Sequence, residues 1–314
     1  MEIRIISLKD SSRYESMQKL CKNPPHNLAK DFQFSIFDAI SPSSPHFEGL
    51  RAKHYDKNRL KESDWVYCKR GAELEPNELG CYMSHFLLWQ ECVSKNTPIV
   101  ICEDDIELKE NFKEAVMKCL KSPFDLVRLH AEYWGYRGGT FQKVLPRIEN
   151  EPLYMTSKEN LSMASRFKRF LRKDCFKLYQ ILRRCYYPLS MFEKESFLDE
   201  HFYMSSLYLN SCACYYLTPN GAKILIEKSR YFTEPSDIFL SNSPKHKLPN
   251  IVYMPLCVKF GEASLQTTIC LPKHFKKVFP YTPKRLIMPL INLVHRLRAY
   301  HCFKSAFEKH RKHK

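Results

Sequence analysis

Hydrophobic positions in the first 130 residues recur with two different periods, and together they predict an α/β fold. Continuous apolar runs are typical of strands that are covered on both faces, whereas apolar residues three and four positions apart are typical of helices with one buried face. Because the two patterns alternate along the chain, they predict a largely parallel sheet flanked by helices. The predicted strands cover residues 2–8, 31–37, 98–102 and 124–130, and the predicted helices cover residues 13–21, 76–95 and 109–121.

The same alternation returns in the last third of the chain, after a less regular middle. Residues 41–72 are rich in Pro, Ser and charge and are predicted to be a surface connection. An amphipathic helix is predicted over residues 166–185, with apolar residues on one face and Lys and Arg residues elsewhere. Strands are then predicted at 212–217 and 251–260, with a helix at 219–229 between them.

Length and composition allow a protein with a substantial core. The chain has 314 residues, of which 44% are hydrophobic. It contains neither the ~18 consecutive apolar residues of a spanning helix nor the basic and apolar segments of a secretory signal. We therefore expect a cytosolic chain whose thirteen Cys residues are free thiols. The lone Cys212–x–Cys214 pair lacks a second pair of ligands, which argues against a zinc site.

The formal net charge of +16 is concentrated in two segments. Residues 158–184 hold nine Lys and Arg residues against two acidic residues, and residues 273–314 hold twelve against Glu308 alone. Such basic segments favour a phosphate-rich partner, either an anionic membrane surface or a nucleic acid. Because the basic residues lie in amphipathic helices, they favour the membrane surface, and no nucleic acid is expected as a partner.

Three adjacent carboxylates, Glu103, Asp104 and Asp105, follow directly after the apolar strand predicted at 98–102. Ligands of open α/β sheets gather at the carboxyl ends of strands, and like charges this close together favour a bound cation. In an extended chain Glu103 and Asp105 face the same side, and their oxygens suit Mg²⁺ or Mn²⁺. The alternative is a solvated acidic cap for the helix predicted at 109–121.

Two further segments combine polar residues with helix signals. In the helix predicted at 76–95, Gly80 permits the close approach of another backbone or of a ligand. Glu78 precedes it, and His85 lies about one turn beyond it. Asp237 lies near a predicted helix start, in the segment Glu-Pro-Ser-Asp-Ile-Phe. The alternatives are a hydrogen-bonded packing residue for His85 and a helix cap for Asp237.

Taken in this order, the motifs resemble those of glycosyltransferase family 25, a family of lipopolysaccharide-biosynthesis, galactosyltransferase-like proteins. The most specific part of the resemblance is the ELGC…SH segment followed by EDD at this spacing. The resemblance spans residues 1–269 and leaves the basic tail outside. Its motifs are ISLKDSSR (6–13), NELGCYMSHFLLWQ (77–90), IVICEDD (99–105), FDLVRL (124–129), YYLTPNGAKIL (215–225), EPSD (234–237) and GEASLQTTI (261–269).

The resemblance implies a GT-A-like (Rossmann-like) fold, a UDP-sugar donor, a divalent metal (Mn²⁺ or Mg²⁺) and inversion at the transferred sugar carbon. It also implies galactose as the sugar and a lipopolysaccharide or lipooligosaccharide core as the acceptor. A metal stabilises the charge that grows on the diphosphate leaving group, and an inverting displacement needs a base for the acceptor hydroxyl. Asp237 is the predicted base, and Asp105 and Glu103 are the predicted metal ligands. The predicted donor-binding residues are Ser7, Arg13, Glu78, Gly80, His85, Glu103 and Asp104.

Two segments depart from the family pattern and determine the predicted domain organisation. Residues 1–270 form the predicted GT-A-like domain, with a helical basic insertion at about 131–205, and residues 271–314 form a basic, membrane-associating tail. The expected location is cytoplasmic, peripheral on the inner face of the cytoplasmic membrane, where a lipid-linked oligosaccharide acceptor would be. The rival functions are a metal-dependent phosphohydrolase, which would need further Asp or His ligands at other strand ends, and a non-catalytic nucleic-acid-binding protein.

Overall fold

The computed structural model covers the predicted α/β domain most fully. The described residues are 1–63, 73–133, 201–204 and 209–261, with positions 294, 297, 298 and 301. The helix predicted at 166–185 lies outside them, as do most of the insertion predicted at 131–205 and most of the tail at 271–314. These three remain predictions. Among the described residues, no helix is both long enough and apolar enough to cross a bilayer.

The centre of the molecule is a seven-stranded mixed sheet. The described strands are β1 (Glu2–Ser7), β2 (Gln33–Asp38), β3 (Ile99–Glu103), β4 (Ile106–Leu108), β5 (Leu126–Arg128), β6 (Glu132–Tyr133), β7 (Phe202–Met204), β8 (Leu209–Asn210), β9 (Cys214–Leu217), β10 (Ile251–Tyr253) and β11 (Val258–Phe260). The order in the sheet is β2-β1-β3-β9-β5-β10-β7. Only β9 and β7 run against the other five strands, which confirms the expected α/β class with a mostly parallel sheet.

Helices cover both faces of this sheet. They are α1 (Tyr14–Lys22), α2 (His26–Ala29), α3 (Phe47–His54), a 3₁₀ helix (Lys57–Glu62), α4 (Pro76–Lys95), α5 (Phe112–Lys121), α6 (Pro219–Lys228), α7 (Ser236–Ser241) and α8 (Ser243–His246). Strand residues alternate between the two faces. Val100 and Cys102 of β3 share a hydrophobic core with α5, whereas Ile99 and Ile101 share a second core with α4 and α6. The sheet is therefore held between two hydrophobic cores.

Helix α4 has the bounds that its apolar spacing predicts. Pro76 occupies its first turn, where a missing N–H costs nothing. A capping box joins Glu75 to Glu78, whose carboxylate accepts the Glu75 backbone N–H at 2.9 Å. Farther along, Trp89 is fully buried between α4 and the sheet. The cap and the buried face together fix the position of His85 relative to the strand ends.

Two predicted segments differ from the structure. The single strand predicted at 251–260 is wrong: β10 and β11 are separate, and β11 pairs with β4 outside the central sheet. Pro255 lies between them and has no N–H to donate to a ladder, which explains the interruption. The connection predicted at 41–72 contains α3 and the 3₁₀ helix, whose Phe47 and Leu60 are buried in the core. Two apolar residues far apart in the sequence do not show the helical spacing of hydrophobic positions, so neither helix was predicted in this segment rich in Pro and charge.

The strand predicted at 212–217 is present as β9, but it runs antiparallel between β3 and β5. Its register places Cys214 opposite Cys102. The N-terminal end of β9 therefore meets the carboxyl end of β3, and the residues just before β9 reach the same edge of the sheet as Glu103. Because β9 runs in this direction, residues just before it can join Glu103 in one site.

Candidate active site

The carboxyl ends of β1 and β3 lie side by side and form the edge of the candidate active site. The two strands are parallel, with Ile6 opposite Glu103, so Ser7 and Asp104 follow as neighbours. The structure therefore brings together four of the predicted site residues, Ser7, Glu103, Asp104 and Asp105. This edge is where open α/β sheets bind their ligands.

Asp104 is held by both of the predicted residues near the N-terminus. Its side chain is 8% exposed; the Ser7 hydroxyl donates to Oδ2 at 2.6 Å, and Arg13 Nε lies 3.0 Å from Oδ1. Burial raises the pKa of Asp104, while Ser7 and Arg13 act in the opposite direction. Ser7, Arg13 and Asp104 thus form one polar unit that joins the end of β1 to the end of β3.

Asp105 is the last carboxylate of the triplet, and its pKa is raised. Burial, followed by the nearby negative charge of Glu103, raises the pKa of Asp105 to about 7. Its Oδ1 is buried and has no hydrogen-bond partner in the described part of the chain. A buried carboxylate oxygen without a partner, close to a second carboxylate, is an arrangement that a hard divalent cation satisfies. The residues therefore fit the Mn²⁺ or Mg²⁺ that the sequence predicts here.

Glu103 belongs both to the acidic triplet and to a second group, the buried cluster, which it forms with Cys81, His85 and Cys212. Its Oε1 accepts the Cys212 thiol at 2.9 Å and lies 3.3 Å from His85 Nε2. Burial opposes the charge on Glu103, but the contacts with His85 and Cys212 lower the pKa of this carboxylate below its usual value. The side chain is 26% exposed, so Glu103 lies between the buried cluster and the protein surface.

His85 is fully buried and is oriented by two aromatic residues. Its Nδ1 lies 2.9 Å from the Tyr215 hydroxyl oxygen, which also accepts the indole N–H of Trp89 at 2.9 Å. Burial disfavours the imidazolium form, but Cys212 and Glu103 more than offset this and raise the pKa of His85 to about 10. His85 therefore lies between Tyr215 on its Nδ1 side and Glu103 on its Nε2 side.

Two thiols complete the buried cluster. Cys81 lies one helical turn before His85 on α4, and Cys212 precedes β9. The Ser236 hydroxyl lies 3.6 Å from Cys81 Sγ and 3.5 Å from Cys212 Sγ. The donor atoms of Cys81, His85, Glu103 and Cys212 all lie within 4.8 Å of one another.

The other two predicted residues of α4 have visible architectural roles. Glu78 accepts the Glu75 backbone N–H at the start of the helix. Gly80 faces the backbone of Ile40, and a Cβ on Gly80 would overlap the Ile40 carbonyl oxygen. Nothing in these contacts tests whether either residue touches a donor, so their donor-binding roles remain predictions.

Asp237, the predicted base, is half-buried in the first turn of α7. Its Oδ1 accepts the backbone N–H of Ile238 at 2.8 Å. The preceding residue, Ser236, contacts both thiols of the buried cluster, and Cys212 in turn contacts Glu103. The residue before Asp237 is thus linked through Cys212 to Glu103 of the triplet, while the role of Asp237 as a base remains a prediction.

Arg128, a buried cation at the end of β5, was not among the predicted site residues. It is 1% exposed and donates to the Ser211 carbonyl oxygen and, at 3.2 Å, to the Ser241 hydroxyl. Burial lowers the pKa of Arg128, and the charges of Asp237 and Glu103 are among those that oppose this change. A single Arg within the apolar segment FDLVRLH was the signal that could have identified it.

The fold is that of open α/β proteins, a class that binds its ligands at the carboxyl ends of the strands. In this chain, that edge of the sheet carries the carboxylates Glu103, Asp104 and Asp105. Comparison with protein families makes the assignment specific. The chain belongs to glycosyltransferase family 25 (LPS biosynthesis protein), whose family-wide sequence profile matches residues 1–240. The matched region includes the acidic triplet, the buried cluster and Asp237, and it confirms the family that the motifs resemble.

Individual relatives match shorter stretches. The lipooligosaccharide biosynthesis protein lic2B of Haemophilus influenzae is 37% identical over 83 residues, which are 26% of this chain and 27% of that protein. A glycosyltransferase 25 family member of Drosophila melanogaster is 27% identical over 123 residues, 37% of this chain and 20% of that protein. The inactive glycosyltransferase 25 family member 3 of Mus musculus is 33% identical over 52 residues, 16% of this chain and 9% of that protein. The matches thus span about a quarter or less of each of these relatives.

Proposed function

We propose that this protein is an inverting glycosyltransferase that moves galactose from a UDP-sugar to a lipopolysaccharide or lipooligosaccharide core. The observation that carries the proposal is the family match over residues 1–240, which includes the acidic triplet at the end of β3. The similarity to a lipooligosaccharide biosynthesis protein supports the acceptor class. Galactose is chosen because the family that the motifs resemble is galactosyltransferase-like, and the donor panel below tests this choice.

The donor is proposed to bind at the carboxyl edge of the sheet. Asp105 and Glu103 are the proposed ligands of Mn²⁺ or Mg²⁺, supported by the unpartnered Oδ1 of Asp105. When bound, such an ion supplies charge stabilisation for the diphosphate that leaves. Asp104, with Ser7 and Arg13, is proposed to form the wall that meets the nucleotide.

Helix α4 is proposed to shape the other side of the donor pocket. Glu78 caps the helix, Gly80 lets it pack closely against Ile40, and His85 reaches the acidic edge through Glu103. All three are proposed to bind the donor: Gly80 lets backbone or ligand approach closely, and Glu78 and His85 supply polar contacts.

Proton removal from the acceptor is proposed to fall to Asp237. An inverting displacement requires a base on the side of the sugar opposite the leaving group. The Ile238 N–H holds one carboxylate oxygen of Asp237 in place, which orients the group relative to α7. In this assignment the acceptor hydroxyl transfers its proton to Asp237 as the new glycosidic bond forms.

The basic segments are proposed to hold the enzyme peripherally on an anionic inner-membrane face, where a lipid-linked acceptor is presented. Support comes from the sequence, since residues 158–184 and 273–314 combine apolar stripes with Lys and Arg residues. Within this proposal the 131–205 insertion and the 271–314 tail are membrane-contacting additions to a GT-A-like domain of residues 1–270.

A transfer assay tests the proposed function. Purified full-length protein is mixed with Mn²⁺, a panel of nucleotide sugars and a truncated lipooligosaccharide core, and nucleoside diphosphate release is measured together with the mass and anomeric configuration of the product. The expected result is UDP release from UDP-galactose that depends on the acceptor and yields an inverted linkage. No transfer from any donor would overturn the proposal. Phosphate release from a phosphomonoester without an acceptor would favour the phosphohydrolase, and stabilisation by single-stranded RNA rather than by UDP with Mn²⁺ would favour a nucleic-acid-binding protein.

A further inference from the structure

We propose that Cys81, His85, Glu103 and Cys212 form a tetrahedral binding site for a thiophilic divalent cation, with Zn²⁺ as the best fit. The site lies beside the acidic triplet and shares Glu103 with the proposed Mn²⁺ or Mg²⁺ site: Oε1 of Glu103 belongs to the zinc site, which leaves its second carboxylate oxygen for the other ion. It goes beyond the proposed function, since it does not depend on a sugar donor. Two cysteines, one histidine and one carboxylate are all common zinc ligands. Their donor atoms lie within 4.8 Å of one another.

The four ligands come from three elements of the rigid core. Cys81 and His85 are four residues apart on α4, so both project from one face of the helix. Glu103 ends β3, and Cys212 lies two residues before the start of β9, the strand that pairs with β3. Cys214, two residues farther on, points away to the opposite face of the sheet, where its Sγ lies 3.3 Å from Cys102 Sγ. The Cys-x-Cys pair is therefore divided, and the fold supplies the missing ligands of Cys212 from α4 and β3.

The spacing of the donor atoms is close to what a tetrahedral zinc site needs. Zinc bonds of about 2.0–2.3 Å place the ligand atoms of a tetrahedron roughly 3.3–3.8 Å apart. Glu103 Oε1 lies 3.3 Å from His85 Nε2 and 2.9 Å from Cys212 Sγ. Small rotations of these side chains would therefore convert the hydrogen-bonded cluster into a ligand shell. The thiol protons and the Nε2 proton would leave to solvent.

The groups around the four ligands already support a metal-bound state. A zinc-ligating histidine normally donates its other ring N–H to an acceptor that fixes its orientation. The Tyr215 hydroxyl oxygen, 2.9 Å from His85 Nδ1, is such an acceptor, and Trp89 holds Tyr215 in place. Ser236 lies within reach of both sulfur atoms and can donate to a thiolate.

The charge balance favours the same conclusion. Two thiolates, one carboxylate and one dication leave a net charge of −1 in a buried region. Arg128 is a buried cation that donates to the carbonyl oxygen of Ser211, the residue before Cys212, and its Nε has no hydrogen-bond partner among the described residues. A metal centre with one net negative charge would compensate this cation.

Cobalt substitution tests the site with a readout that is independent of glycosyl transfer. Reduced, metal-free full-length protein is titrated with Co²⁺, whose thiolate charge-transfer and intense d–d absorption report tetrahedral sulfur ligation. Zn²⁺ is then added, and bound zinc is measured by mass spectrometry of the metal. We expect one equivalent of Co²⁺ with thiolate absorption, displaced by one equivalent of Zn²⁺.

Matched variants locate the binding. Cys81→Ser and Cys212→Ser should each lower zinc affinity by at least tenfold, since each removes one ligand. Cys92→Ala, at a buried thiol on the same helix outside the cluster, should leave it unchanged. Asp105→Asn should also retain the cobalt spectrum, which separates this site from the proposed Mn²⁺ or Mg²⁺ site. A failed transfer assay would not affect these results.

Four outcomes would overturn the proposal. One is reduced wild-type protein that binds no Zn²⁺ at micromolar concentration. A second is cobalt absorption without a thiolate component, and a third is zinc binding that survives removal of both Cys81 and Cys212. The fourth is a Cys81–Cys212 disulfide, seen by mass spectrometry in protein purified without oxidant, since that bond would consume both sulfur ligands.

Discussion

Replacing Gly80 by Ala should destabilise the protein, although alanine normally strengthens a helix. A Cβ at this position would overlap the Ile40 carbonyl oxygen and would lie 3.2 Å from Ile40 C and 3.4 Å from Ser41 Cα. All three are backbone atoms, and the Ile40 N–H is itself fixed by donation to Ser84 Oγ at 2.8 Å. The strain therefore cannot be relieved by rotating a side chain, and α4 has to move away from its neighbour.

The expected magnitude follows from two opposing effects. Alanine in place of glycine contributes about 1 kcal/mol to helix stability, whereas forcing one extra carbon into close-packed structure costs about 1–3 kcal/mol, and more where backbone has to shift. We expect a net loss of about 2 kcal/mol in the free energy of unfolding. At roughly 2–4 °C per kcal/mol, the melting temperature should fall by about 4–8 °C.

Gly49→Ala is the matched control. Gly49 lies in helix α3, and a Cβ there would have no atom within 4 Å. This variant should gain about 0.5–1 kcal/mol from helix propensity alone. Urea unfolding followed by circular dichroism compares both variants with the wild type. If Gly80→Ala matched Gly49→Ala in stability, the close approach of α4 to Ile40 would be wrong.

Three further predictions concern pH, catalysis and the basic tail. Burial lowers the pKa of His246 to about 3 and the Leu248 N–H donates to its Nδ1 at 3.1 Å, so the ring folds neutral. The neutral ring contributes fully to the free energy of unfolding above pH ~6.5, and this contribution should be lost at about 1.4 kcal/mol per pH unit as the pH falls toward 3. If the midpoint of urea unfolding fell with decreasing pH as steeply in His246→Asn as in the wild type, this prediction would be contradicted. Asp237→Asn should lower turnover by about 10²–10⁴ while donor affinity stays the same, and calorimetry showing an equal loss of donor binding would indicate a structural or metal role instead. Protein ending at residue 272 should float with anionic liposomes far less than the full chain, with recovery falling as salt rises; equal recovery would remove the tail from membrane binding.

The spacing of hydrophobic residues predicted correctly those elements that have a clear hydrophobic pattern or whose ends are marked by a residue such as Pro76. Helix α4 was predicted with its observed bounds, because twenty residues of helical spacing begin at Pro76. Strands β1 and β3 were predicted because continuous apolar runs identify strands that are buried on both faces. Strand order and direction were not predicted beyond a mostly parallel sheet. A strand has the same two-residue period in either direction, and the reversal of β9 depends on contacts far along the chain.

The candidate site was predicted only where its residues are adjacent in sequence. Glu103, Asp104 and Asp105 form one motif, so the acidic edge could be inferred. The buried cluster could not, because Cys212 is 109 residues from Glu103 and reaches it only through the antiparallel pairing of β9 with β3. Arg128 was missed for a similar reason, since its charge is significant only once β5 is known to be buried. Sequence patterns reveal the local spacing of hydrophobic residues and the composition of a segment. Which distant side chains come together depends on the order and direction of the strands.

The most direct test of the proposed donor site is calorimetric binding of UDP with and without Mn²⁺, to wild-type protein and to Asp105→Asn. Asp31→Asn is the control, since Asp31 precedes β2 at the opposite end of the sheet and pairs with Lys113. Mn²⁺ should tighten UDP binding to the wild type and to Asp31→Asn, and in Asp105→Asn this Mn²⁺-dependent gain in affinity should be at least tenfold smaller. Equal Mn²⁺-dependent affinity in all three proteins would contradict the assignment of the donor site to the end of β3.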